Sequence, residues 1–399
     1  MTNDRDIAVL GAGMHPWGKW GRNFVEYGID AADAALADAG LTWREMQFVA
    51  GADTMRNGYP GYVSGATFAQ ALGWSGQQVV SCYAACASGA TALSVARAQI
   101  LAGLCEVALV VGADTTPKGF LAPTAGDRPD DPDWLRFRLL GATNPTYFAL
   151  YARRRMDLYG ATERDFAKVK VKNARHGLLN PNARYRKEVT EDEVLASPIV
   201  ASPLHLLDIC ATSDGGAAVV VSSMEFARRH GKTSPVRVRG ISTVTPSFPN
   251  TVIEMPNFAT DSSATLAPAA LTFRDSIAAA AYDEAGLGPD DLSVAQVYDL
   301  SSALELDWYE NIELCKAGEA ERLVNDGDTT LGGKGVTVNP SGGLACFGEA
   351  VPAQAIAQVC EIVWQLRGQA GDRQVDGATA GVTVNQGLFG HGSSVVLST

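Results

Sequence analysis

Two stretches of this 399-residue chain read alike. Ala39-Gly40-Leu41 returns as Ala285-Gly286-Leu287, Met46 returns as Leu292 and Asp53 as Asp299, each 246 residues further on. In both copies an alanine-rich segment, from Ala31 and from Ile277, passes through the triplet and an acidic turn into a short apolar strand that ends on the aspartate. A β-branched run precedes each copy, Ile7 to Leu10 and Val236 to Ile241. After each come, at unequal distances, a Gly-containing turn, an apolar helix and a strand. In the first half these are Ser88 to Leu101 and Val107 to Val111; in the second, Ala350 to Leu366 and Gly381 to Val384. A repeat of this kind means one α/β unit used twice. Its unbroken apolar strands indicate mostly parallel sheets covered by helices. Two such halves packed face to face give an α/β fold of five layers, with 1-235 as the first half, 236-399 as the second and a loop domain inserted at about 115-182.

That insertion is polar, aromatic and basic, and Pro117, Pro123, Pro129, Pro132 and Pro145 interrupt it. Arg153-Arg154-Arg155 with Lys168, Lys170 and Lys172 forms a basic cluster that either attracts an anionic ligand or lines solvated helix faces. The whole chain is acidic: 32 Lys and Arg against 44 Asp and Glu leave a net charge of −12. Such a field repels phosphate backbones and anionic lipid, which excludes nucleic acid and a membrane surface as partners. No apolar run approaches the ~20 residues that cross a bilayer, and Met1 to Asp6 carries no signal-peptide core, so a cytoplasmic protein is expected. Seven scattered cysteines suit reduced thiols, and Cys82 and Cys86 have no histidine nearby, so no metal site is expected.

Three segments carry residues suited to chemistry. Cys86 follows the strand-like Val79-Val80 and precedes a helix, where the dipole and unpaired N–H groups favour a thiolate, and small neighbours Ala87, Ser88 and Gly89 open an approach. A buried structural thiol is the alternative. In Asn339-Pro340-Ser341-Gly342-Gly343-Leu344-Ala345-Cys346-Phe347-Gly348-Glu349, Gly343 lets the backbone come close to a ligand. Glu349 among apolar neighbours is a candidate general base, or a carboxylate that only complements a helix dipole. In Asn385 to Gly392, His391 stands between Gly390 and Gly392 on a turn with free backbone donors, or in a plain turn between two strands. Tyr298-Asp299 closes the repeated strand at its C-terminal end, where open α/β sheets place their sites.

Together these segments resemble the thiolase superfamily, in its sterol-carrier-protein-x or lipid-transfer-protein branch, over nearly the whole chain. Cys86-Ala87-Ser88-Gly89 is similar to the nucleophile motif, and Gly103 to Asp114 to the helix end and strand after it. Tyr151 to Gly160, Lys172-Asn173 and His176 to Pro181 resemble the branch's loop domain, and Leu207 to Ala218 and Asn339 to Leu344 resemble its other motifs. Two departures stand out. Where this branch carries His-Asp-Cys-Phe the chain has Tyr298-Asp299-Leu300-Ser301, and where it carries Gly-His-Pro the chain has Gly348-Glu349-Ala350. The nucleophile position is filled but the usual acid/base set is replaced.

The resemblance implies an acyl-CoA carbon–carbon bond-cleaving enzyme. The reading that suits the departures is retro-aldol cleavage of a β-hydroxyacyl-CoA on a steroid-like side chain, because steroid side-chain aldolases of this branch carry tyrosines where thiolases carry histidines. Glu349 or Tyr298 is then the base; a phenol starting near pKa ~10 needs a neighbour that lowers it. Backbone N–H groups of Cys86 and of the Gly390 to Gly392 turn form the oxyanion hole, with Asp299 and Gly343 beside the substrate. The alternatives are a thiolase using Cys86, with His391 and Glu349 as bases, and a non-catalytic lipid or acyl-CoA carrier. The resemblance further implies a homodimer, a small OB-fold and zinc-ribbon partner protein, and no bound cofactor, coenzyme A arriving as part of the substrate.

Overall fold

The 246-residue offset returns element by element. The helix Phe24–Ala39 ends at Gly40 with φ 73°, and the helix Phe273–Ala285 ends at Gly286 with φ 63°. Both ends use the left-handed conformation that glycine adopts without strain. A 3₁₀ turn follows each, Trp43–Glu45 and Pro289–Asp291, then strands that begin at Phe48 and Val294. The computed structural model describes residues 5–53, 64–116, 143–247, 271–387 and 390–399. Its strands are β1 (Ile7–Gly18), β2 (Phe48–Ala52), β3 (Gln78–Cys82), β4 (Val107–Thr115), β5 (Ile199–Ala201), β6 (Leu204–His205), β7 (Asp214–Ser223), β8 (Val236–Val244), β9 (Val294–Gln296), β10 (Thr337–Val338), β11 (Ala380–Gly387) and β12 (His391–Ser398).

Strand order shows the duplication directly. The first half runs β3-β2-β4-β7-β1 and the second β10-β9-β11-β12-β8. The halves join edge to edge where Ile7, Ala8 and Val9 pair antiparallel with Val238, Arg237 and Val236, a junction the face-to-face expectation did not contain. They also face each other across two central helices, Ser88–Leu101 and Val351–Leu366, which pack on one another and on strands of both halves. Phe24–Ala39 covers β1 and β7 from outside, and Phe273–Ala285 covers β8 and β12, which completes five layers.

Val351–Leu366 is buried along its length except at Trp364. Its close approach depends on missing side chains: a Cβ on Gly112 would stand 2.4 Å from the Pro352 carbonyl oxygen, and one on Gly89 would stand 2.9 Å from Ile356 Cγ1. Gly89 therefore admits a helix, not a substrate as its sequence context suggests.

The described part of the insertion is the helix pair Asn144–Tyr159 and Glu163–Leu178, with Pro145 in the first turn where its missing N–H costs nothing. Residues 117–142, with their four prolines, lie outside the described residues. Half of the basic cluster is internal. Arg155 is buried and bonds Asp307 at 2.7 Å, Glu310 at 2.6 Å and Glu321 at 2.7 Å. Lys172 is buried on Glu305 at 2.5 Å, Lys170 donates to the Ala345 carbonyl at 2.7 Å, and Lys168 reaches Asn325 at 2.6 Å. These cations fasten the insertion to the second half, and only Arg153 and Arg154 of the six face solvent as the cluster reading required. No helix among the described residues is long and apolar enough to cross a membrane.

Candidate active site

Cys86 sits where β3 turns into a central helix. The chain leaves β3, takes Ala85 into the left-handed region at φ 48°, and enters the 3₁₀ turn Ala85–Ala87 that leads into Ser88–Leu101. Ser88 clips this elbow, its hydroxyl accepting from Ala84 N–H at 2.9 Å and donating to the Ala85 carbonyl at 2.6 Å. A non-glycine residue at positive φ stores strain that the surroundings must hold, and such residues cluster at functional sites. Cys86 itself is buried. Against it packs Gly387, the last residue of β11, where a Cβ would stand 2.7 Å from the Ala84 oxygen and 3.5 Å from Cys86 N. Sequence reasoning missed Gly387, because only the fold brings β11 to the elbow.

Tyr298 and Glu349 converge on the thiol from the second half. Tyr298 follows β9, and Glu349 is held by its backbone: its N–H donates to the Ala211 carbonyl at 2.7 Å and its carbonyl accepts from Ser213 N–H at 2.8 Å. Both side chains are buried. Glu349 Oε1 accepts from the Tyr298 hydroxyl at 3.4 Å and from Cys86 Sγ at 3.8 Å. Burial, then the charges of Cys86 and Glu349, push the Tyr298 phenol well above its ordinary value. Tyr298 thus keeps its proton and is suited to donate, not to act as the base that the sequence left open. The same surroundings hold Cys210, which went unnoticed among scattered thiols. Its N–H donates to the Leu300 carbonyl at 3.0 Å, and burial with Glu349, Asp299 and Cys86 nearby pushes its thiol far up. The signal lay in Leu207 to Ala218, but its contact with Leu300 is long-range.

Asp299 points the other way. Its carboxylate accepts from Leu344 N–H at 2.7 Å, Ala345 N–H at 3.0 Å and Asn173 at 3.2 Å, so it caps the helix Gly343–Phe347. Burial and the Glu305 carboxylate raise its pKa. Gly343, at φ 60°, makes the cap possible, because a Cβ there would lie 2.4 Å from Asp299 Oδ2. The sequence expected both residues beside the substrate; here each closes on the other and fixes the strand end that carries Tyr298. Behind them Glu305 gathers Lys172, Asn173 at 2.5 Å, Tyr309 at 2.6 Å and Asn339 at 3.0 Å, a buried hub that no local pattern announced.

His391 opens β12 opposite Gly387 in the hairpin, and its side chain is exposed while Cys86, Tyr298 and Glu349 are buried. Gly390 takes φ 85° in the turn. Gly392 packs on the outer helix, where a Cβ would meet Ile277 at 2.3 Å. Leu388 and Phe389 lie outside the described residues. The structure therefore gathers the buried side chains of Cys86, Tyr298 and Glu349 with Cys210, turns the carboxylate of Asp299 to Gly343 and the helix behind it, and leaves the His391 side chain exposed. Among the described residues no cluster of side chains is arranged to hold a metal ion.

Comparison with known proteins agrees with this fold. The thiolase N-terminal domain model matches residues 7–225, and the thiolase C-terminal domain-like model matches residues 259–399. Sterol carrier protein 2 of Gallus gallus is 34% identical over 403 residues, 97% of this chain and 70% of that protein. Benzoylsuccinyl-CoA thiolase subunit BbsB of Thauera aromatica is 31% identical over 378 residues, 94% of this chain and 93% of that one. Among solved structures the Ltp2-ChsH2(DUF35) aldolase is similar with a TM-score of 0.79 and 26% identity, over 99% of this chain and 98% of that one.

Proposed function

The chain belongs to the thiolase superfamily, in its sterol-carrier-protein-x branch, and is an acyl-CoA enzyme; from that premise we propose that it cleaves a β-hydroxyacyl-CoA by a retro-aldol reaction. The observation that carries the reading is the buried Tyr298–Glu349 pair, 3.4 Å apart and beside Cys86. Glu349 takes the proton of the β-hydroxyl. The C–O bond becomes a carbonyl, the Cα–Cβ bond breaks, and its electron pair passes to the departing acyl-CoA as an enolate. The Cys86 N–H and the protonated Tyr298 stabilise developing negative charge, and Glu349 returns its proton to the α-carbon. No acyl-enzyme forms, so Cys86 contributes its backbone and not its thiol.

The likeness to an aldolase structure supports this chemistry, and a steroid-like side chain is the substrate class we assign. A homodimer, a cytoplasmic location and a small OB-fold and zinc-ribbon partner complete the proposal; the similar Ltp2 aldolase carries ChsH2 in its name. One observation favours a second reading: the 3.8 Å contact of Cys86 Sγ with Glu349 gives a thiol and a base for ordinary thiolysis, with His391 as the further base. The two separate by product. Purified protein, with and without such a partner, is given a β-hydroxyacyl-CoA, and separately a β-ketoacyl-CoA with free coenzyme A. A ketone or aldehyde plus a shortened acyl-CoA from the hydroxy substrate is the expected result, and cleavage confined to the keto substrate contradicts it.

A further inference from the structure

The central helix Val351–Leu366 carries a polar stripe, Gln354, Gln358, Glu361 and Gln365, although the helix is buried on nearly every side. Three of the four are fully accounted for. Gln358 donates to the Val297 carbonyl at 3.4 Å and accepts from Asn385 at 2.5 Å. Glu361 is paired with Arg373 at 3.0 Å and accepts from Gln365 at 2.9 Å, and Gln365 also donates to the Arg373 carbonyl and accepts from Val375 N–H. Gln354 is different. Its Nε2 donates to the Cys86 carbonyl at 3.5 Å, and among the described residues no group reaches its Oε1, although the residue is only 1% exposed.

Beside Gln354 is a cavity of about 20 Å³, which Trp17 and Gln296 also line. Trp17 is 2% exposed and Gln296 1%, and neither Trp17 Nε1 nor Gln296 Nε2 has a partner among the described residues. The Gln354 amide is oriented by the Cys86 carbonyl, which can only accept. The Ser341 hydroxyl accepts from Gly343 N–H at 3.1 Å and donates to Gln296 Oε1 at 2.8 Å, which leaves Gln296 Nε2 on the other side of the amide. An indole N–H can only donate. The residues around one cavity thus bring two donors and one acceptor, each of which is costly to bury unpaired.

We propose that this cavity is a built water site, in which one water accepts from Trp17 Nε1 and Gln296 Nε2, donates to Gln354 Oε1, and so fixes the side chain that holds the Cys86 backbone. Glu361 also lines the cavity, but its carboxylate is taken up by Arg373 and Gln365, so the unpaired groups are two donors and one acceptor, a set that matches neither a cation nor an anion. Water accepts twice and donates at once, and the volume is what one molecule needs. Gln354 becomes a positioning residue for the strained elbow, acting from the second half on the first.

The test is a crystal structure of the full chain that shows ordered water, with Gln354→Met alongside. Density within about 3.2 Å of all three atoms, lost in the variant, is the expected result, and a cavity without density overturns the proposal. The second readout is the rate at which iodoacetamide alkylates Cys86, read by peptide mass spectrometry. Freed from Gln354, the buried elbow opens more often, and the rate rises about fivefold, the factor one neutral hydrogen bond carries. An unchanged rate with the water present overturns the link to Cys86. Should Gln354→Met not fold, Gln296→Met probes the same water from a donor. None of these readouts uses turnover, so they stand apart from the aldolase reading.

Discussion

Replacing Glu305 by glutamine removes the charge from the hub while keeping its shape. Lys172 Nζ lies 2.5 Å from Glu305 Oε1, and both residues are almost fully buried, 3% and 0% exposed at the side chain. At an effective dielectric constant near 20 the attraction is about 7 kcal/mol, but both ions gave up their hydration. What the variant exposes is the uncompensated ammonium, for which removal of one partner costs about 3–5 kcal/mol. Lys172 keeps Tyr309 Oη and the Val338 carbonyl, each at 3.0 Å, and these soften the loss without neutralising the charge. Taking about 4 kcal/mol, and an unfolding entropy of about 0.8 kcal/mol/K for a chain of this size, Tm falls by about 5 °C. Differential scanning calorimetry reads that shift. The companion Lys172→Met/Glu305→Gln removes both charges and regains at least half of it, because the penalty belongs to the unpaired ion. A Tm drop under about 1 °C in the single variant, or strictly additive losses in the double, would refute the reasoning.

Other outcomes follow from single contacts. His176 has Nδ1 2.9 Å from the Asn339 carbonyl and accepts Leu331 N–H on Nε2 at 3.0 Å, and burial with Lys172 nearby lowers its pKa to about 4. Its neutral form is favoured on folding, so this stability is complete above the unfolded value near 6.5 and is lost as pH falls toward 4, about 3 kcal/mol in all; urea unfolding across that window should lose this slope in His176→Gln. Gly387→Ala puts a Cβ 2.7 Å from the Ala84 oxygen; displacing the elbow lowers kcat about tenfold or more with a native circular dichroism spectrum, and full activity would mean that the elbow tolerates movement. Tyr298→Phe removes the hydroxyl on Glu349, and kcat/KM for the β-hydroxyacyl-CoA drops by about 10²-fold; an unchanged value would leave Tyr298 without a role.

The layer order was legible because it was written twice. Apolar strands and glycine-capped helices repeat with one offset, and local sequence decides both. Cys86 was legible too, since a strand, an elbow and a helix are consecutive in the chain, as was Glu349, an acid in an apolar stretch. What escaped depends on contacts between distant segments. Arg153 to Lys172 looks like a solvated basic face until Asp307, Glu310, Glu321 and Glu305 arrive from 150 or so residues away to bury half of it. Asp299 and Gly343 look like ligand-binding groups until the missing Cβ proves to be room for the carboxylate. His391 has an open ring in sequence and an exposed one in the fold, but the buried group beside Cys86 is completed by Tyr298, Glu349 and Cys210 instead.

The most direct trial of the Tyr298–Glu349 chemistry compares Cys86→Ala with Glu349→Gln on a β-hydroxyacyl-CoA, following products and any acyl adduct by mass spectrometry. Retro-aldol cleavage should survive Cys86→Ala within about tenfold, because the backbone N–H remains, and should fall by 10²-fold or more in Glu349→Gln, about what one positioned base supplies. An acyl group found on Cys86, with cleavage abolished in Cys86→Ala, would contradict that chemistry and make the thiol the nucleophile.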